Sequence, residues 1–202
     1  MKKILFIYFL FVNSVTFSQS EICDIFTGPQ FSNSKLDSIL FDKINKYRVS
    51  KRLKKLVFDT IAVKACIHHT KYQFNRCAVT HDEDTLKRPG SRYKYYGGNT
   101  TNVAEVAAQG MLNIKDGDPM LLEKIADDIL TLWKKSSPHN AILLDRTITH
   151  GGGSIIFKST DQGVKTWKSY LPFSTFIALQ IEQEIILKEN RIKIFLKKIV
   201  KL

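Results

Sequence analysis

Gly151-Gly152-Gly153-Ser154-Ile155-Ile156-Phe157 and, further on, Ser174-Thr175-Phe176-Ile177-Ala178-Leu179-Gln180-Ile181 decide the fold class. Both runs are apolar and rich in β-branched and aromatic residues, and they read as two strands joined through a turn near Asp161-Gln162-Gly163. The chain before them reads differently. From Pro119 to Lys135, Leu122, Ile125, Ile129, Leu132 and Trp133 recur at intervals of three and four, which predicts a helix with Pro119 in its first turn. Asp59 or Thr60 can cap an earlier helix running to about Asn75, with Ile61, Ala65, His68 or His69, and Tyr72 along one side. Leu36, Ile39, Leu40, Ile44 and Tyr47 mark an amphipathic helix over 35–47, followed by a polar connection from Lys51 to Lys55. Helices first and strands later imply an α+β layered domain.

Between the second and third helices, residues 78–102 carry His81, the acidic cluster Asp82-Glu83-Asp84, Pro89-Gly90 and Gly97-Gly98-Asn99, and read as irregular. A loop of this length in a compact domain is usually functional or disordered.

At the N-terminus, Lys2 and Lys3 precede an apolar stretch from Ile4 to Val12 and a small, polar stretch from Ser14 to Ser20, the pattern of a signal peptide cleaved after Ser18 or Ser20. The apolar run is about half of the roughly 20 residues a spanning helix needs, so a secreted or periplasmic protein with no transmembrane segment after cleavage is expected. Residues 21–34 read as a leader loop. Residues 184–202 are dense in Lys and aliphatics and read as a basic C-terminal extension, either docked on the domain or facing a membrane surface.

With 44% apolar residues in a 202-residue chain, a core of ordinary size can form. The net charge is +12, and loss of Lys2 and Lys3 leaves 29 basic against 19 acidic residues. That surplus favours anionic surfaces, a membrane, polysaccharide or cell wall. No nucleic-acid-binding motif accompanies it. Export permits disulfides, and among three cysteines Cys66 and Cys77 are the candidate pair, with three free thiols as the other reading.

All five histidines, His68, His69, His81, His139 and His150, fall between positions 68 and 150. Imidazole and carboxylate are good zinc ligands, but no H-E-x-x-H or other compact ligand signature is present. No Gly-x-Ser-x-Gly elbow supports a serine nucleophile, and Gly151-Gly152-Gly153 lacks the Lys and helix of a phosphate loop. His68 and His69 lie about 100° apart around their helix, so one points inward and one outward; His68 is read as structural.

Several short motifs in order resemble one family. Asn45-Lys46-Tyr47-Arg48, Leu56-Val57-Phe58-Asp59 and Ala65-Cys66-Ile67-His68 are similar to the run that opens CAP domains, the superfamily of cysteine-rich secretory, venom-allergen and pathogenesis-related proteins whose bacterial branch is called SCP-like. Thr80-His81, Val103-Ala104-Glu105-Val106-Ala107 and Trp133-Lys134-Lys135-Ser136-Ser137-Pro138-His139 continue the resemblance, and the glycine run falls where a glycine-rich strand start is expected. The resemblance implies an α-β-α sandwich over residues 35–183 with a surface cleft where histidines and glutamates converge and can hold zinc or another divalent cation. Carried over by position, His81 is the first histidine, Glu105 the first glutamate, and His139 a third member; Ser136 stands where many members place a second glutamate. Asn45, Tyr47 and Arg48 are expected to fix the first helix. The resulting expectation is a secreted, non-catalytic or weakly catalytic protein binding a lipid, sterol or glycan in that cleft. A metal-assisted extracellular hydrolase of peptide or cell-wall bonds and a charge-driven surface adhesion module are the alternatives.

Overall fold

In the computed structural model the described residues are Phe26, 30–32, 34–160 and 167–180. The expected signal peptide, most of the leader loop, Cys23, the turn at 161–163 and the basic C-terminal extension lie outside them.

The elements in chain order are β1 (Gln30–Ser32), α1 (Ser34–Ser50), β2 (Val57–Phe58), α2 (Thr60–Arg76), α3 (Pro89–Tyr95), β3 (Val103–Gln109), β4 (Leu112–Lys115), α4 (Leu121–Lys135), α5 (Ser137–Leu143), β5 (His150–Ser159) and β6 (Trp167–Leu179). The two expected strands are the central antiparallel pair, with Gly153 opposite Phe176. β6 also pairs with β3 and β4, and β5 with β1 and, in parallel, β2.

The alternation of a strand sorts the core into two halves. Ile155, Phe157, Phe176 and Ala178 pack with Leu36, Leu40 and Ile44 of α1 and Ile125, Ile129 and Trp133 of α4. On the other face, Ile177 and Leu179 meet Ala62, Ala65 and Cys66 of α2, and Ile156 and Phe173 meet Phe74. The result is the expected α+β fold, a sheet between two helical layers.

The glycine run has a packing reason. A Cβ at Gly152 would lie 2.7 Å from Val63 Cγ2 and 2.8 Å from both the Asp59 carbonyl oxygen and the Val63 amide, so the first turn of α2 sits directly on β5. Asp59 caps that turn, its Oδ1 accepting from the Ile61 and Ala62 amides at 2.8 and 3.0 Å.

The three residues expected to fix α1 do so. Asn45 exchanges two hydrogen bonds with the Leu56 backbone, and Tyr47 donates to Asn140 Oδ1 at 2.8 Å. Arg48, 1% exposed, donates to the carbonyls of Lys54, Leu143 and Asp145 at 3.0, 2.7 and 3.0 Å.

Four details depart from expectation. Cys66 and Cys77 are not bridged to each other: Cys66 is a free, buried thiol donating to the Gly152 carbonyl at 3.2 Å, and Cys77 is disulfide-bonded. Cys66 faces the sheet from mid-helix, whereas Cys77 ends the helix with a left-handed backbone of φ 48°. The stretch 78–102 contains α3, begun at Pro89. Pro119 precedes α4, which starts at Leu121. β6 begins at Trp167, seven residues before the stretch read as strand.

Candidate functional site

Glu105 lies in β3 opposite Ile177, so its side chain shares the sheet face that carries α2. On α2 the inward stripe Ala62, Ala65, Cys66, His69 and Gln73 follows the three-and-four spacing and brings His69 to the same place. The short helix α3 closes the third side, because Gly90 lets the chain pass close to the Thr101 carbonyl and so presents Arg92 inward.

Arg92 is fully buried and is the hub. Its Nη2 donates to Glu105 Oε2 at 2.7 Å, and Nη1 and Nη2 reach the His81 and Leu86 carbonyls at 3.1–3.2 Å. Its Nε lies 3.5 Å from Glu83 Oε1. Glu83 also holds both histidines of α2, accepting from His69 Nδ1 at 2.6 Å and from His68 Nε2 at 3.0 Å. His68 Nδ1 in turn accepts from the Tyr96 hydroxyl at 2.9 Å.

Donor counting fixes the charge here. His69 Nε2 faces the Thr80 carbonyl at 2.6 Å, which can only accept, so that nitrogen carries hydrogen. Its Nδ1 faces a carboxylate, so one further proton lies between His69 and Glu83. The two buried carboxyl groups are thus matched by the Arg92 guanidinium and by the proton held between His69 and Glu83, the pairing that makes buried charge tolerable.

His81 Nδ1 donates to Glu105 Oε1 at 2.9 Å, and its ring is half exposed. That hydrogen bond holds the His81 pKa above its ordinary value, against the opposing effect of burial. His139, two residues into α5, is close enough to feel His81 as a charge. Burial first, and then the repulsion of His81, push its pKa down. Two neighbouring imidazoles are therefore biased apart, His81 toward the cation and His139 toward the neutral ring. Beside them runs an open cavity of about 390 Å³ lined by Val79, Ala108, Gln109, Leu132, Ser136 and His139.

Of the residues singled out in the sequence, His81 and Glu105 are bonded directly, and His139 lines the cavity beside them, near enough to His81 to feel its charge. Among the described residues no group of three His, Cys, Asp or Glu is placed to hold a metal ion. The sequence reading had missed Arg92 and the pairing of Glu83 with His69. The only signal for them was the length of the irregular 78–102 stretch that carries the acidic cluster.

The profile of the cysteine-rich secretory protein family, CAP, matches residues 41–170. The chain belongs to the CAP family.

The CAP architecture recurs in solved structures of low sequence identity. An outer surface protein from Borrelia burgdorferi aligns with TM-score 0.55 and 15% identity, covering 77% of this chain and 100% of that one. An extracellular protein containing an SCP domain from Bacillus anthracis aligns with TM-score 0.54 and 19% identity, covering 73% of this chain and 41% of that one. No curated protein sequence matches the chain. At these identities the likeness is one of fold; the first neighbour is an outer surface protein and the second an extracellular one. Among the described residues of this CAP domain no helix is long and apolar enough to cross a membrane.

Proposed function

We propose that this CAP domain is exported and binds an amphipathic ligand, a lipid or sterol in preference to a glycan, in the cleft between His81 and His139, without catalysis. The observation that carries this is the engagement of Glu105. One carboxylate oxygen accepts from Arg92 and the other from His81, and the side chain is 1% exposed, so the carboxylate is withdrawn from the solvent side of the site. What the cavity does present is His139 and an apolar shelf of Val79, Ala108 and Leu132, with the half-exposed His81 ring near enough to act on His139. A polar or anionic head would meet His81 while an alkyl or ring body covers the shelf, the usual division of labour in small-molecule sites. A glycan would want more hydrogen-bonding groups than Gln109 and Ser136 supply.

The donor set does not fit a divalent cation. A cation on Glu105 would compete with the Arg92 guanidinium and the His81 imidazole for the same two oxygens, and the charge of Glu105 is already balanced. The metal-assisted hydrolase remains the alternative reading, and it requires Glu105 to let go of Arg92.

The test is fluorescence titration with cis-parinaric acid and dehydroergosterol. Saturable binding to the wild type, weakened at least tenfold in a folded Leu132→Arg variant, is expected. No binding of either probe, together with ester or peptide hydrolysis that Glu105→Gln abolishes, would overturn the reading in favour of the hydrolase.

A further inference from the structure

A second cavity, of about 520 Å³, shares no residue with the His81–Glu105 cleft and is lined by Arg48, Arg52, Lys54, Lys55, Arg146 and His150 over a floor of Leu53, Val57 and Ile148. Among the described residues no acidic side chain lines it. Among the described residues none of Arg52, Lys54, Lys55 and Arg146 takes part in an ion pair, although ten such pairs occur elsewhere. Asp145, whose charge acts on Arg48, accepts from the backbone amide and hydroxyl of Thr147 on Oδ1 at 2.7 Å each.

The cavity is built rather than incidental. Arg52 adopts a left-handed backbone, φ 60°, which reverses the chain after α1 and returns it along the sheet. That conformation is unfavourable for a side-chain-bearing residue by about 1–2 kcal/mol. Buried Arg48 then ties the two walls together, since its guanidinium bonds the carbonyls of Lys54 on one wall and of Leu143 and Asp145 on the other. The parallel pairing of Val57 with His150, backed by the Val57 amide on the Thr149 carbonyl at 2.9 Å, fixes the floor. The turn at Asp145–Thr147 sets Arg146 at its tip, facing the lysines.

We propose that this cavity binds a phosphate-bearing glycan, taking phosphate on Arg52, Lys54, Lys55 and Arg146 and laying the sugar ring against Val57 and Ile148. Arginine and lysine unpaired with acids are the chemistry that meets phosphate. The volume falls in the range of sites for small organic molecules, beyond what a lone anion needs. Single-stranded nucleic acid fits less well, because such sites stack bases on aromatic side chains and, among the described residues, His150 is the only ring in the lining.

Fluorescein-labelled phosphomannan is the probe, with neutral dextran and oligothymidylate of equal charge as comparison ligands and thermal melting as the check on folding. Binding is expected to weaken about tenfold or more as salt rises several-fold from 50 mM, because bound cations displace counterions. Arg52→Glu combined with Arg146→Glu should lower affinity at least tenfold. Lys54→Gln with Lys55→Gln should lower it several-fold, and decides the matter if the first variant does not fold. Lys64→Glu with Lys71→Glu, exposed on α2, makes the same change of net charge and should alter affinity less than twofold. Equal losses in the α2 variant would assign binding to overall charge and overturn the proposal. Oligothymidylate binding as tightly as the glycan, or dextran doing so, would overturn it as well.

Discussion

Arg92 Nη2 and His81 Nδ1 hold opposite oxygens of one carboxylate, that of Glu105, at 2.7 and 2.9 Å. One partner is fully buried and permanently charged; the other is half exposed and titrates. The consequences of that division can be measured.

Removing the buried partner strands charge. Arg92→Leu removes the guanidinium that bonds Glu105 and lies 3.5 Å from Glu83, and loss of one member of a buried ion pair costs about 3–5 kcal/mol. Urea unfolding should show a fall of that size. A fall under about 1 kcal/mol would mean that Arg92 does not organise the site.

The exposed partner reports on the same carboxylate. Because Glu105 raises the His81 pKa, NMR titration should place it above 6.5 in the wild type and nearer 6.5 in Glu105→Gln, with His139 titrating below 6.5 in the wild type. The sign follows from linkage: the stability His81 contributes is present below 6.5 and is lost as pH rises through its raised folded value. The stability gap between wild type and Glu105→Gln should therefore narrow as pH rises, modestly because the ring is half exposed.

Asp37 behaves in the other sense from a typical carboxylate. Burial pushes its pKa up to about 6, although it accepts from the Ile155 amide at 2.9 Å. A raised acid stabilises the fold fully below its unfolded value of 3.8, and that stability is lost as pH climbs through about 6. A shift of about two units corresponds to about 3 kcal/mol at most. Asp37→Asn, which keeps an oxygen for Ile155, should be more stable than the wild type at pH 8 and should flatten the pH dependence between 4 and 7 in thermal melts.

Much of this was legible in the sequence, for physical reasons. The helices at 34–50, 60–76 and 121–135 bury one face, so their apolar spacing shows; the central strands bury both faces and read as continuous apolar runs. β1, β2 and β4 hold two to four residues each, too short to carry a period. β3 was legible only as a family motif, because Val103-Ala104-Glu105-Val106-Ala107 places its charge inward. The site was half legible. Glu105 and His81 lie in recognisable motifs, whereas Arg92 meets them from a seven-residue helix with no amphipathic pattern and finds Glu83 only through the tertiary fold.

Gly152 is the test of that reading of the strands. Gly152→Ala puts a methyl 2.7–2.8 Å from Val63 and the Asp59 carbonyl oxygen, and should destabilise by about 1–3 kcal/mol. Gly117→Ser, in open space at the surface, is the contrast: its cost should come only from the positive φ of 74°.

The metal question has its own measurement. Calorimetric titration with zinc is expected to show no stoichiometric tight binding, since Arg92 already neutralises Glu105. Tight one-to-one binding lost together in His81→Ala, Glu105→Ala and His139→Ala would reverse the assignment.

The most direct test of the cleft itself is amide and imidazole NMR during titration with a fatty acid. Shifts concentrated at Val79, Ala108, Gln109, Leu132 and His139, with the His81 ring perturbed, are what the account requires. Shifts confined to the separate cavity of about 470 Å³ near Phe31, Leu121, Leu122 and Tyr170, with the His81 and His139 rings unmoved, would contradict it.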